Sequence, residues 1–87
     1  MEATIISNIE DLSKVKTKAV VLSFRPNFVD ILKISKQGIK VIQVNQATDN
    51  SLSKNARHYL EQLGIKLQVG NIQGIKKEVI EIPMESY

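Results

Sequence analysis

The chain has 87 residues, 12 Lys and Arg against 9 Asp and Glu, no cysteine, and 43% hydrophobic residues. That supports one core rather than two, and no apolar run approaches the ~18 residues of a helical membrane span. The lack of cysteine removes disulfides, thiol catalysis and cysteine-bound metals, and a start of Met1-Glu2-Ala3-Thr4 lacks the basic end and apolar core of a secretory signal, so a cytoplasmic domain is expected.

Isoleucine occurs twelve times and valine eight, so β-branched side chains dominate the apolar runs and favour strands there. Residues 3–6 read as a short strand. Ser7 or Asn8 then caps a brief helix with Glu10 and Asp11 in its positive first turn and Ile9, Leu12 and Val15 on one face. Residues 18–24 follow, apolar on both alternating faces at Ala19, Val20, Val21 and Leu22, the pattern of a central strand. Pro26 stops it. Asn27, with Asp30 three residues on, is close to a capping box for a helix over residues 28–37. Phe28, Ile31 and Leu32 are expected to be its buried stripe, Lys33, Lys36 and Gln37 its outer side, and Gly38 its left-handed terminator.

The next strand spans 39–45. Asp49, Asn50 or Ser51 caps a longer helix with Leu52, Ala56, Tyr59, Leu60 and Leu63 at helical spacing, closed by Gly64. Ile65, Leu67 and Val69 alternate with Lys66 and Gln68 in a half-buried strand. A glycine-bearing loop covers 70–76, a last strand covers 77–82, Pro83 stops it, and residues 84–87 are expected to fray.

Strand and helix thus alternate three times, which calls for parallel strands joined by right-handed crossovers. Gly38-Ile39-Lys40 with Asn45 recurs 26 residues on as Gly64-Ile65-Lys66 with Asn71. A leucine-rich repeat fits poorly, because Ala47 stands where its asparagine belongs; βα units with glycine caps explain the period. The expected fold is a single α/β domain over residues 1–87, a compact two-layer βαβαβ-type unit. Its mostly parallel sheet has four or five strands, with helices mainly on one face. Gln43 and Gln68 suggest that the other face is partly open, with Val21 and Val41 as a self-association surface.

Parallel α/β sheets bind ligands beyond the carboxyl ends of their strands, where helix N-termini point. The anion-binding candidates there are Ser23, Arg25 and Asn27, aided by free amides at Asn27–Phe28 and Ser51–Leu52. Serines and asparagines serve equally as caps and turns, but Arg25 is needed for neither. Catalysis has little to build on. His58, the one histidine, falls on the polar side of its helix with Lys54 and Arg57, as a solvated residue. The acids and His58 offer no metal-ligand spacing, and Gly70 and Gly74 match no phosphate loop. Glu10 and Asp11 resemble the acidic pair of a response-regulator receiver, but the chain is too short for one and helix-start charge accounts for them. No catalytic residue, metal or cofactor is expected.

Charge is segregated along the chain. All twelve basic residues lie within 14–77, opposed there only by Asp30, Asp49 and Glu61, while six acids sit in the flanks. Crossovers of one hand put both helices on one face, so Lys33, Lys36, Lys54 and Arg57 are expected on a shared surface able to follow a phosphate backbone. Phe24, Phe28 and Tyr59, expected inside, leave little for base stacking. The same lysines also suit a merely solvated helix face, and the acidic flanks suit pairing with the basic middle of a second copy.

The stretch Val21-Leu22-Ser23-Phe24-Arg25-Pro26-Asn27, followed by Ile39-Lys40-Val41-Ile42-Gln43-Val44, Leu52-Ser53-Lys54, Tyr59-Leu60-Glu61 and Gly64-Ile65, is similar to an uncharacterised family of small archaeal proteins. In that family a strand ending Ser-Phe-Arg-Pro precedes a helix, an Ile-Gln-Val strand and a Ser-Lys helix. The resemblance covers residues 20–71, implies an archaeal or archaeal-virus source, supplies no activity, and raises Ser23, Arg25 and Pro26 as positions of interest. The chain is therefore expected to be a non-enzymatic binding module, with nucleic acid the partner its charge favours. The alternatives are a protein-interaction or self-assembly module forming a homodimer, and a small-anion or nucleotide binder using Arg25 and helix N-termini.

Overall fold

Four strands of the sheet run parallel: β1 (Glu2–Ile6), β2 (Ala19–Leu22), β3 (Val41–Val44) and β4 (Lys66–Val69). A fifth, β5 (Val79–Glu81), is antiparallel to β1, giving the order β4-β3-β2-β1-β5. This computed structural model describes residues 1–70 and 77–83; most of the loop expected over 70–76, Asn71 included, and the tail at 84–87 lie outside the described residues. β2, apolar at every position, is the middle strand, as its lack of a polar face requires.

The connections are a 3-10 helix (Ile9–Lys14), α1 (Phe28–Lys36), α2 (Gln46–Ser51) and α3 (Lys54–Gln62). Every crossover between parallel strands steps the same way across the sheet, so right-handed connection places the helices on one face. There Ile6, Val20, Leu22, Ile42 and Val44 of the sheet pack against Leu12, Ile31, Ile34, Ala56 and Leu60. The result is the expected two-layer α/β domain.

Local chemistry sets the boundaries. In α1 the Asp30 N–H donates to Asn27 Oδ1 at 2.8 Å and the Asn27 N–H donates back to Asp30 Oδ2 at 3.2 Å, a complete capping box. Gly38 and Gly64 have φ of 87° and 73°, so the internal recurrence is a pair of left-handed helix stops, each opening a parallel strand.

Three expectations are corrected. The single helix expected before Gly64 is two. Asn45 caps α2, with the Thr48 N–H donating to its Oδ1 at 2.7 Å, and Ser53 caps α3, with the Ala56 N–H donating to its Oγ at 3.1 Å. Asp49, Asn50 and Ser51 lie inside α2, because this polar stretch holds several side chains able to cap and the chain breaks where Leu52 turns into the core. Next, the buried row of α1 is Ile31 and Ile34, both fully buried, while Phe28, Val29 and Leu32 are 50%, 60% and 37% exposed. The helix rests on the sheet through Ile31 and Ile34; Val29 and Leu32 lie around the cylinder from that pair, and Phe28, three residues before Ile31, is in the first turn with its ring against Tyr59 of α3.

Finally, the face opposite the helices is closed. Val21 and Val41 are 1% and 2% exposed because Ile82, past β5, packs over them with Ala3 and Ala19. Ile82 is tied down: its N–H donates to the Met1 carbonyl at 2.9 Å, its own carbonyl accepts from the Met1 amine at 3.1 Å, and Gln68 Nε2 donates to the Pro83 carbonyl at 3.0 Å. Val21 and Val41 are therefore not available for self-association.

Candidate functional site

Past the carboxyl end of β2 the chain turns through residues 23–26 into α1, and past β3 it returns through α2 into α3. The first turns of α1 and α3 meet at a cavity of about 120 Å³, lined by Arg25, Asn27 and Phe28 on one side and Leu52, Ser53 and Ala56 on the other. A water occupies about 30 Å³ of liquid, so the cavity has the size of a few waters or one tetrahedral oxyanion. The N–H groups of Phe28 and Val29, and of Lys54 and Asn55, are helix-start donors with no acceptor one turn back. Both helix dipoles present their positive ends at this point. Arg25 is exposed and forms no ion pair or side-chain hydrogen bond with any described residue. The guanidinium and these helix-start amides are donors, the chemistry that holds phosphate, sulfate or carboxylate, set beside the Asp30 carboxylate that takes the Asn27 N–H.

The other sequence candidates divide between structural and exposed positions. Asn27 lines the cavity, but its side chain is committed to the capping box. Ser23 lies apart from the cavity lining: its hydroxyl and its N–H both donate to the Ile6 carbonyl, at 3.2 and 3.1 Å, tying β2 to β1. The Leu52 N–H, expected free, instead donates to the Thr48 and Asp49 carbonyls, and Lys54 and Asn55 of α3 supply the donors in its place.

Lys33, Lys36 and Lys54 are exposed on the helix layer. Arg57 is turned to the flank of α3 away from α1. It pairs with Asp49 Oδ1 at 3.0 Å and donates to the Asp49 carbonyl, clasping α2 to α3. His58 sits on the exposed face, its Nε2 3.1 Å from the amide nitrogen of Gln62.

Phe28 is the residue that sequence reasoning misplaced. It stands half-exposed at the cavity rim with its ring centroid 5.7 Å from that of Tyr59, bridging α1 to α3. Its position as the first residue after the cap was the available signal. Among the described residues no three His, Cys, Asp or Glu side chains converge as metal ligands, and no helix is long and apolar enough to cross a membrane.

Residues 3–81 match the model of a family described as a family of unknown function (DUF1699), N-terminal domain. Neither a curated protein nor a solved structure matches the chain.

Proposed function

The chain belongs to the DUF1699 N-terminal domain family, whose function is unknown, and we propose that here the domain is a non-enzymatic cytoplasmic module that binds single-stranded nucleic acid through a phosphate seated beside Arg25. The observation that supports this reading is an unpaired arginine placed with two helix N-termini around one phosphate-sized cavity. The half-exposed Phe28 ring at the rim offers a π-face to an unstacked base, and Lys54 follows directly on the Ser53 cap. Lys33 and Lys36 lie about 8 and 12 Å farther along α1 at 1.5 Å per residue, within reach of later phosphates.

Fluorescence anisotropy with a labelled oligothymidylate tests it. Wild-type protein should bind at about 50 mM salt and lose affinity steeply as salt rises. Arg25→Ala should weaken binding and lower the salt slope by about one, and Phe28→Ala should cost about 1–3 kcal/mol. Arg57→Ala should leave affinity nearly unchanged, since that side chain is spent on Asp49. Absence of salt-sensitive binding would remove the reading, and equal affinity for duplex would remove its single-stranded part.

A second reading rests on the exposed Phe28, Val29 and Leu32, a row suited to an isologous homodimer through α1. Light scattering separates the two: a mass of one 9.8 kDa chain at high concentration excludes the dimer, and a doubled mass abolished by Leu32→Glu supports it.

A further inference from the structure

The two edges of the sheet are built differently. At one edge β5 is three residues long, preceded by Glu78 and ending in Glu81, whose carboxylate holds the Met1 ammonium at 2.9 Å. Short, charged strands of this kind discourage further pairing. At the other edge β4 has four residues, of which only Lys66 is charged. Among the described residues β4 pairs with β3 alone.

The backbone of β4 faces two ways. The N–H groups of Lys66 and Gly70 donate inward, to the Lys40 and Val44 carbonyls at 2.9 and 3.0 Å. Successive residues of an extended strand turn their backbone groups to opposite sides, so Leu67 and Val69 present N–H and C=O outward, with no described strand beside them. Ile65 presents its C=O the same way, while its N–H donates to the Leu60 carbonyl at 3.0 Å.

The side chains of the same three residues are apolar and lie on the helix face, and their exposure rises along the strand. Ile65 is 4% exposed, Leu67 half-buried and Val69 43% exposed. Beside them a cavity of about 340 Å³ opens between β4 and α3, lined by Leu60, Ile65 and Leu67 and by Arg57 and Glu61 on the flank of α3. Arg57 and Glu61 stand one helical turn apart with opposite charge. Arg57 is held by Asp49, and Glu61 forms no ion pair or side-chain hydrogen bond with a described residue.

We propose that this edge pairs with itself: β4 lies antiparallel to β4 of a second copy about a two-fold axis at Leu67, joining two five-stranded sheets into one. In that register Leu67 faces Leu67 of the second copy and exchanges two hydrogen bonds with it, and each Val69 N–H donates to the Ile65 carbonyl of the other copy. Lys66 stands across from Gln68 of the second copy, so no like charges meet. The axis also sets the two α3 helices side by side and antiparallel, which brings Arg57 of each toward Glu61 of the other. An edge and a helix flank that both match their own reverse fit a second copy better than an unrelated strand. The interface shares no residue with the Arg25 cavity or with the exposed row of α1, and depends on neither.

Light scattering of the whole chain from about 10 μM to about 1 mM, with amide hydrogen exchange at both ends of that range, tests it. The mass should rise from one 9.8 kDa chain toward two. The Leu67 and Val69 amides should exchange about tenfold or more slowly at the higher concentration. Val69→Pro removes an outward N–H without touching the ladder to β3, and should leave a folded monomer. Glu61→Arg should weaken the dimer about tenfold, and Leu32→Glu, on α1, should leave it unchanged. The proposal is overturned if the mass stays at one chain at about 1 mM, if it doubles while the Leu67 and Val69 amides stay unprotected, or if folded Val69→Pro dimerises as wild type does.

Discussion

On one face of the sheet, Ile6, Val20, Leu22, Ile42 and Val44 meet residues from every crossover: Leu12, Ile31, Ile34, Leu52, Ala56 and Leu60. On the other, Ala3, Ala19, Val21 and Val41 are closed by Ile82, arriving from beyond β5 and held by the chain's first residue and by Gln68. The first face is covered redundantly by segments adjacent in sequence to the strands they cover. The second depends chiefly on Ile82, 61 positions from Val21, with the half-buried Ile5 and Ile80 beside it. Loss of a residue should therefore be felt differently on the two faces: as a cavity among many neighbours on the helix side, and as an uncovered apolar surface on the other.

The largest effect is expected on the helix side. Ile34 is fully buried within the larger core cluster, so Ile34→Ala should cost about 2–5 kcal/mol in denaturant unfolding. The variant should remain as monomeric or as dimeric as wild type. Ile82→Ala should cost less, about 2 kcal/mol, because the strand end can settle toward the sheet. Its signature is different: partial exposure of Val21 and Val41 should raise the light-scattering mass in a concentration-dependent way. If both variants lose stability equally and neither associates, the contrast between the faces is wrong.

The same contrast explains what could be read before the structure. The helix face follows from periodicity. A strand apolar at every residue had to be central, and Asn27 with Asp30, Gly38 and Gly64 marked helix ends by capping chemistry and left-handed turns. Closure of the far face left no periodic trace, since it depends on where Ile82 lands after an antiparallel strand, and the glutamines suggested water where there is a buried polar pair. At the candidate site Arg25 stood out because neither a cap nor a core needs it. Ser53 did not, because the polar residues of 45–53 offer several caps and only the turn of Leu52 into the core selects among them. That same break brings Asp49 to Arg57 and commits this arginine to an ion pair. The exposure of Phe28 escaped notice because apolar character shows which residues can be buried, not how wide a helix's contact with the sheet is.

The smallest effect sharpens the comparison most. Gln43 and Gln68 are 4% and 5% exposed, and Gln68 Nε2 donates to Gln43 Oε1 at 3.0 Å as well as to Pro83. Gln68 Oε1 is buried without a partner among the described residues, which leaves the pair incompletely satisfied there. Gln68→Met removes that orphan acceptor but deprives Gln43 Oε1 of its donor, and should cost about 1 kcal/mol. Gln43→Met leaves Gln68 its bond to Pro83 and should cost a similar amount or less. With both replaced by methionine, no unmet amide is left inside the face, and the double variant should be closer to wild type than the two single costs predict together. A non-additivity of about 0.5 kcal/mol or more in urea unfolding supports a mutually dependent pair. Additive costs would mean that Gln68 acts only through Pro83, holding Ile82 over the sheet, and the double variant would then associate as Ile82→Ala does.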